Sequence, residues 1–368
     1  MEMGREQGIT TRQAAVFIVN FILGVGILTL PRTAAEKVHT PDIWLSVIIG
    51  GLLAMLAGII IAKLGQHYPG KTFYEYSELI IGKWLSQVIN LIVVAYFVAI
   101  AAHVVRSLAE VTELFLLDGT PRWAIILSFL WVGLYLILGG LFAIGRLFEI
   151  IFPMTVIIFV LTAAMSFKVF EIDNLRPVLG SGITPVLEGV RTTGLSYTGF
   201  EIMLILQAYM VRPRHAARAV VFGVSIPILF YVTTVVMVIG ALSVEGVVSR
   251  AWPTITLIRS FEFPGIFFER YESLLLVIWI MQMFATYVIT HYAAAQGVAT
   301  MLKKEIGPLQ YVIIPIVFIV AMLPKNIDDL FRFADNIGNT GIVLFGVLPA
   351  VLLGIVKLRG GKRELDTT

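Results

Sequence analysis

Apolar residues run through this chain in long stretches separated by short polar connections. About 20 residues in a helix cross a bilayer core. Ten runs of that kind are drawn, near residues 12–36, 44–64, 85–115, 123–141, 148–168, 186–208, 217–242, 271–301, 311–323 and 340–358. They are numbered here spans 1 to 10; the ninth is short and starts as early as Gly307 in its longer form. The pattern predicts an all-α polytopic membrane protein of ten transmembrane helices in a single domain. The connection 169–185 divides it into two repeats of five spans, 12–168 and 186–358. An odd number of spans per repeat gives the halves opposite topologies, so a 5+5 inverted repeat is expected, with span 1 and span 6 crossing in opposite directions.

Two spans carry a flaw at corresponding places. Span 1 contains Leu23-Gly24-Val25-Gly26-Ile27-Leu28-Thr29-Leu30-Pro31, and span 6 contains Gly194-Leu195-Ser196-Tyr197-Thr198-Gly199. Glycine costs about 1 kcal/mol against alanine inside a helix, and backbone groups freed in lipid need partners. Gly24 and Gly26 are two apart, so they do not share the helix face that close helix packing uses. Discontinuous helices 1 and 6 are therefore expected, with breaks that meet at one depth. A break exposes the positive end of one half-helix and the carbonyl end of another, a setting that suits a zwitterion.

Composition narrows the class. Of 368 residues 58% are hydrophobic and 14% charged, against about a quarter charged in soluble domains. There is no cysteine, and no metal-ligand cluster, nucleophile elbow or phosphate loop is found. No connection is long enough for a soluble catalytic domain, so the reading is of a non-enzyme without cofactor or metal that does not bind nucleic acid. No signal peptide is expected. With the N-terminus inside, fifteen of the 27 Lys and Arg fall in inner segments, eleven in outer ones, and Arg106 lies in the membrane. The bias places both termini in the cytoplasm. The connection 243–270, with Trp252, Phe261, Phe263, Phe267 and Phe268, reads as interfacial helices on the outer surface.

Polar residues inside spans supply the candidate chemistry. On span 3, Tyr96, Ile100, His103, Arg106, Glu110 and Glu113 recur at helical spacing on one face. Charge in lipid is costly, so this face points inward. It reads either as a ligand wall at Tyr96 and Ile100 with a hydrated route through His103, Arg106 and Glu110 above it, or as an Arg106–Glu110 pair that only holds helices together. Glu201, after the span 6 flaw, reads as a first-turn carboxylate favoured by the helix dipole, or as a partner for a ligand ammonium. Span 8 carries Thr286, whose hydroxyl faces the centre, and His291, read as a packed, hydrogen-bonded residue.

At this level of detail the chain resembles the amino acid–polyamine–organocation superfamily, with its inverted repeat of the LeuT type. Within it the chain resembles the B subunit of spore germinant receptors. The resemblance rests on Leu23–Arg32, Asn174-Leu175-Arg176-Pro177-Val178-Leu179-Gly180, Gly199-Phe200-Glu201-Ile202-Met203, Trp252-Pro253-Thr254-Ile255 and Phe268-Glu269-Arg270-Tyr271-Glu272-Ser273. It implies an inner spore membrane, partners in an A subunit and a lipoprotein C subunit, and a small nutrient ligand such as L-alanine. On that reading the ligand lies between spans 1 and 6. Backbone N–H groups near Val25–Ile27 take its carboxylate, and Tyr96, Ile100, Ser196, Tyr197, Thr198, Gly199, Thr286 and Gly341 shape the pocket with Gly24 and Gly26. The same machinery fits a stand-alone secondary transporter. A channel along the polar face of span 3 is the third reading.

Overall fold

A computed structural model describes residues 8–260 and 271–360, with the side chains of all of these except Val25 and residues 271–275. Among the described residues, six helices are long and apolar enough to cross a membrane: Ile43–Gly65, Lys83–Phe115, Gly140–Ser166, Pro213–Val248, Leu276–Leu302 and Ile327–Leu358. A bent pair, Thr11–Gly24 and Gly26–Val38, makes a seventh. Shorter apolar helices at Arg122–Leu138, Phe200–Tyr209 and Ile306–Ala321 stand in the fourth, sixth and ninth places. Together these occupy the positions of the ten predicted spans.

Local chemistry sets several boundaries. Span 1 begins at Thr11 because the Thr10 hydroxyl accepts from Gln13 N–H and the Gln13 side chain accepts from Thr10 N–H at 3.0 Å, a capping box. The stub before it is pinned to the end of span 6, where Ile9 N–H donates to Tyr209 O (2.8 Å) and Val211 N–H to Ile9 O (3.0 Å). Span 2 carries Gly50, Ala54, Gly58, Ala62 and Gly65 at helical spacing, a stripe of small residues. Along it Gly50 abuts Thr193, Gly58 abuts Val220, and Gly65 abuts Gln207. Side chains there would hold spans 6 and 7 away, which is the use of small residues in membrane bundles.

Spans 3 and 8 form the inside of the bundle, with 67% and 78% of their central windows buried, whereas span 5 has 17% and faces lipid. Span 1 lies chiefly against spans 7 and 8. The apolar surface of span 5, which includes Ile157, Val160 and Leu161, is what a lipid-facing helix presents.

Three features differ from the sequence reading. Span 10 starts at Ile327, well before residue 340. Its outer half, Ile327–Gly341, carries Asp328, Asp329, Arg332 and Asp335, so it does not register as apolar although it continues the same helix. A helix at Phe73–Ile81 fills the connection between spans 2 and 3; it was not predicted, being nine residues long and amphipathic. Span 5 begins at Gly140, ahead of the predicted 148, directly after the Gly140 turn at φ 78°. Of the expected outer-surface helices, Pro253–Arg259 is present with Trp252 buried before it. The Phe261, Phe263, Phe267 and Phe268 of that reading, and the stretch Phe268–Arg270, lie outside the described residues.

The outer half of span 10 depends on its cap. Asn326 accepts from Asp329 N–H at 2.8 Å. Asn326→Ala should cost about 1 kcal/mol and speed amide hydrogen exchange in the first turn after Asn326, with little change in span 8. Unaltered exchange would mean that packing, not the cap, sets this helix start.

Candidate functional site

The two flawed spans meet, and they differ in form. Span 6 stops at Thr192, runs through turns, and resumes at Phe200 in 3-10 and α geometry. Gly199 at φ 136° holds the resumption point, a conformation that only glycine adopts readily. Span 1 keeps helical backbone and bends instead, by 53° between Gly24 and Gly26. In a helix the carbonyls of residues 20, 21 and 22 face the N–H groups of 24, 25 and 26, the residues at the bend. Those carbonyls are the ones side-chain hydroxyls reach. Thr286 Oγ1 lies 3.0 Å from Phe21 O and 3.4 Å from Asn20 O. Tyr231 Oη lies 2.5 Å from Ile22 O. Beyond the bend, Thr254 donates to Ile27 O at 3.0 Å.

Tyr231 Oη also lies 3.0 Å from Ser196 O, so one buried hydroxyl is within reach of a carbonyl of the bent span 1 and one of the interrupted span 6. Its ring lies edge-on to Tyr197, centroids 5.4 Å apart, and Tyr197 donates to Val47 O of span 2 at 2.9 Å. The glycines serve this closeness. A Cβ on Gly24 would collide with Thr286, one on Gly26 with Tyr231 and Ser196, and one on Gly199 with Ile22.

Beside the span 6 break is a cavity of about 340 Å³. Its walls come from Gly50, Leu53, Ala54 and Ala57 of span 2, Tyr96 of span 3, Thr193, Tyr197, Thr198 and Glu201 among the span 6 residues, and Gly341, Ile342, Phe345 and Gly346 of span 10. The span 10 wall is a π-helical segment, Ile342–Val347, a geometry that recurs at functional sites. Gly341 is required there, because a Cβ would stand 2.6 Å from Tyr96 Oη. The cavity is mostly apolar and contains Glu201, whose side chain is fully buried. Glu201 Oε2 accepts from Gly199 N–H at 2.7 Å and Oε1 from Tyr96 Oη at 3.3 Å. The carboxylate thus sits in the first turn of the resumed half-helix, where the dipole favours it, and also on the cavity wall.

The structure brings Tyr96, Tyr197, Thr198, Glu201 and Gly341 to this cavity. Ser196 and Gly199 belong to the break and face span 1, while Gly24, Gly26 and Thr286 are taken up in the contact between spans 1, 7 and 8. Ile100 is buried one turn above Tyr96 and does not line the cavity. Ile27 lines a separate apolar cavity of about 60 Å³ against spans 5, 7 and 8. The side chain of Val25 lies outside the described ones.

The upper face of span 3 closes on itself. Arg106 pairs with Glu110 at 2.8 Å, and Arg122 reaches Glu110 at 3.3 Å and Glu113 at 2.5 Å. His103 is buried, 3.5 Å from Ser107 Oγ and edge-on to Phe333 of span 10. None of His103, Arg106 or Glu110 lines the cavity; the ion pairs are formed, while His103 Nδ1 and Arg106 Nε are buried without a protein partner. His291 is held by Tyr287 Oη (3.2 Å) and Gln310 O (2.9 Å) in a buried network.

Tyr231 was missed in the sequence reading. The signal available was a tyrosine in mid-span, whose hydroxyl needs a partner when buried. The Gly50/Ala54/Gly58 stripe was equally visible, since its spacing marks a face for close contact.

A helical bundle in which a bent span 1 meets an interrupted span 6 beside a small cavity is the arrangement of the LeuT-type class of membrane transport folds. Solved structures agree. The chain matches MhsT in complex with L-phenylalanine over 96% of this chain and 99% of that one, with a TM-score of 0.70 at 11% identity. It matches Mhp1, a nucleobase-cation-symport-1 family transporter, over 96% and 79%, with a TM-score of 0.67 at 13% identity. Within that class the chain belongs to the spore germination protein family, whose profile matches residues 8–330. Spore germination protein YndE of Bacillus subtilis is 54% identical over 351 residues, 95% of this chain and 97% of that protein. Spore germination protein A2 of the same organism is 38% identical over 363 residues, 98% and 97%. GerLB of Bacillus cereus is 26% identical over 374 residues, 99% and 98%.

The shared hydroxyl gives a direct test. Tyr231→Phe keeps the ring and removes the one hydroxyl proton within reach of both carbonyls, which should cost about 1–3 kcal/mol, read as a lower unfolding temperature in detergent. A variant that melts with the wild type would mean the bridge does not hold the spans together.

Proposed function

We propose that this chain is the nutrient-sensing subunit of a spore germination receptor and that a small amino acid binds in the cavity beside the span 6 break. The observation that carries the reading is the fully buried Glu201 on the wall of that cavity. A carboxylate in an apolar membrane pocket is expensive, and a ligand ammonium is the counter-charge it lacks. Tyr96 orients it, and Arg191 supplies a cation at the outer end of the same cavity. The volume is near the lower end of the range of about 300–1,000 Å³ for small-molecule pockets. Together with the apolar wall of Leu53, Ala54 and Phe345, this accommodates apolar amino acids, L-alanine among them.

Binding acts by shifting a conformational equilibrium, and it shifts it only as far as the ligand prefers one state. The π-helical segment of span 10 and the bend of span 1 are the elements at which two states differ. The receptor reading places the chain in the inner spore membrane, with both termini in the cytoplasm by the charge bias, beside A and C subunits that read its state. The relatives' names as germination proteins support this. The likeness in fold to transporters keeps a secondary amino acid transporter as the second reading.

Proteoliposomes with labelled amino acids separate the two. The receptor reading expects saturable binding without accumulation in the lumen, and the transporter reading expects accumulation. Glu201→Gln keeps the hydrogen bond to Tyr96 but removes the charge, and should weaken binding about 10-fold or more, as loss of a charged hydrogen bond does. Thr198→Ala should instead change which amino acids bind. If Glu201→Gln binds the whole panel as the wild type does, the ammonium is not held there.

A further inference from the structure

We infer that the end of the bundle where span 3 starts and span 8 ends holds a binding site for a phosphate-bearing anion, built between these two and the Phe73–Ile81 helix. A cleft of about 610 Å³ opens there. Lys71, Lys83, Lys303 and Lys304 line it, contributed by three separate stretches of chain.

The backbone contributes as well. Lys83 is the first residue of the 33-residue helix of span 3, and Ser86 and Gln87 of its first turn line the cleft. Ser86 N–H donates to Gly82 O at 3.1 Å, so the helix start acts on an anion through its dipole rather than through these N–H groups. Span 8 ends at Leu302, and Lys303 takes φ 53°, a conformation uncommon outside glycine. The turn it makes, closed by Lys304 N–H to Ala299 O at 3.0 Å, sets both lysines on the cleft wall.

Two glutamates share the cleft. Glu75 is engaged in the cap of its helix, accepting from Thr72 N–H at 2.6 Å and from the Thr72 hydroxyl at 2.8 Å. Glu78 faces the cleft from the same helix. Four lysines against two glutamates leave the site positive. The side-chain amides of Gln87 and Gln296 also line the cleft and can donate to phosphate oxygens, whereas Asn90 donates to Tyr74 O and Thr300 to Gln296 O.

The setting specifies where the phosphate sits. Leu79 lines the cleft and is half exposed, and Trp84 and Leu85 beside it are exposed on the membrane side. Tryptophan at a helix end marks the headgroup level. A phosphate in this cleft therefore lies at the depth of the headgroups, with an apolar surface next to it for acyl chains. Basic pockets between membrane helices bind anionic headgroups in this way. The phosphate comes from an anionic phospholipid of that leaflet or from a soluble phosphate compound, and the chemistry is common to both.

The full-length protein in nanodiscs distinguishes these sources. In the lipid arm, native mass spectrometry counts phosphatidylglycerol retained by the wild type, by the triple variant Lys83→Gln, Lys303→Gln, Lys304→Gln, and by the corresponding triple Lys→Arg variant. In the soluble arm, inorganic phosphate is titrated into phosphatidylcholine nanodiscs and the shift in unfolding temperature is read. The Gln variant should lose retention at least fivefold, and the Arg variant should keep it. A phosphate-dependent stabilisation that only the Gln variant lacks, without a difference in lipid retention, assigns the site to the soluble source. If wild type and Gln variant behave alike in both arms, the cleft is not a phosphate site. The Arg variant guards against a folding defect, because it alters the same positions while conserving charge.

Discussion

One constraint governs the centre of this protein: in a bilayer no backbone carbonyl can be left without a donor. Bending span 1 and interrupting span 6 put carbonyls at risk at the depth where water is scarce. The hydroxyls of Tyr231, Thr286 and Thr254 answer that need, and the Tyr231 hydroxyl is within reach of a carbonyl on each span. The small residues follow from this. Gly24 and Gly26 are the positions at which the hydroxyl-bearing side chains come close to the span 1 backbone, and Gly199 lets span 6 touch Ile22. The crossing is thus a polar joint inside an apolar bundle.

The joint explains why a cavity sits on one side of it. Span 6 is unwound from Thr193 to Gly199, and its resumed half-helix starts at Phe200 with Glu201 in its first turn. On the side toward spans 2 and 10, small residues and a π-helical segment leave space. On the side toward spans 7 and 8, Tyr231 and Thr286 fill it. The carboxylate is held by a backbone N–H and a tyrosine hydroxyl, neither of which neutralises it. In the proposed function a cationic ligand group completes the site electrostatically, and the fixed dipole of the half-helix takes that role in part without it.

Much of this was legible in the chain. The glycine and serine clusters of spans 1 and 6 marked the crossing, since a membrane helix tolerates such residues only for a reason. The position of Glu201 after Gly199 was likewise readable from spacing. Which residues reach one cavity was not. Tyr231 is one aromatic residue among many in apolar spans, and only tertiary placement sets its hydroxyl between Ile22 and Ser196. Thr286 reads as a ligand contact from its position in span 8, whereas the fold spends its hydroxyl on the carbonyls of span 1. The outer half of span 10 escaped because its charges conceal a helix that is continuous with the apolar part. The span 3 face shows the limit of periodicity, which placed Arg106 and Glu110 together but left open whether water or an ion pair satisfied them.

The central claim is that the ligand amine meets Glu201 in the cavity beside the span 6 break. The most direct measurement is a structure of the protein with an amino acid that carries a heavy scatterer, such as selenomethionine or a brominated amino acid that competes with the unlabelled ligand. The account predicts a single peak in this cavity, with the amino group within hydrogen-bond distance of the Glu201 carboxylate and Tyr96 nearby. A peak against Gly24, Gly26 and Thr286, with the cavity at Glu201 left vacant, would contradict it.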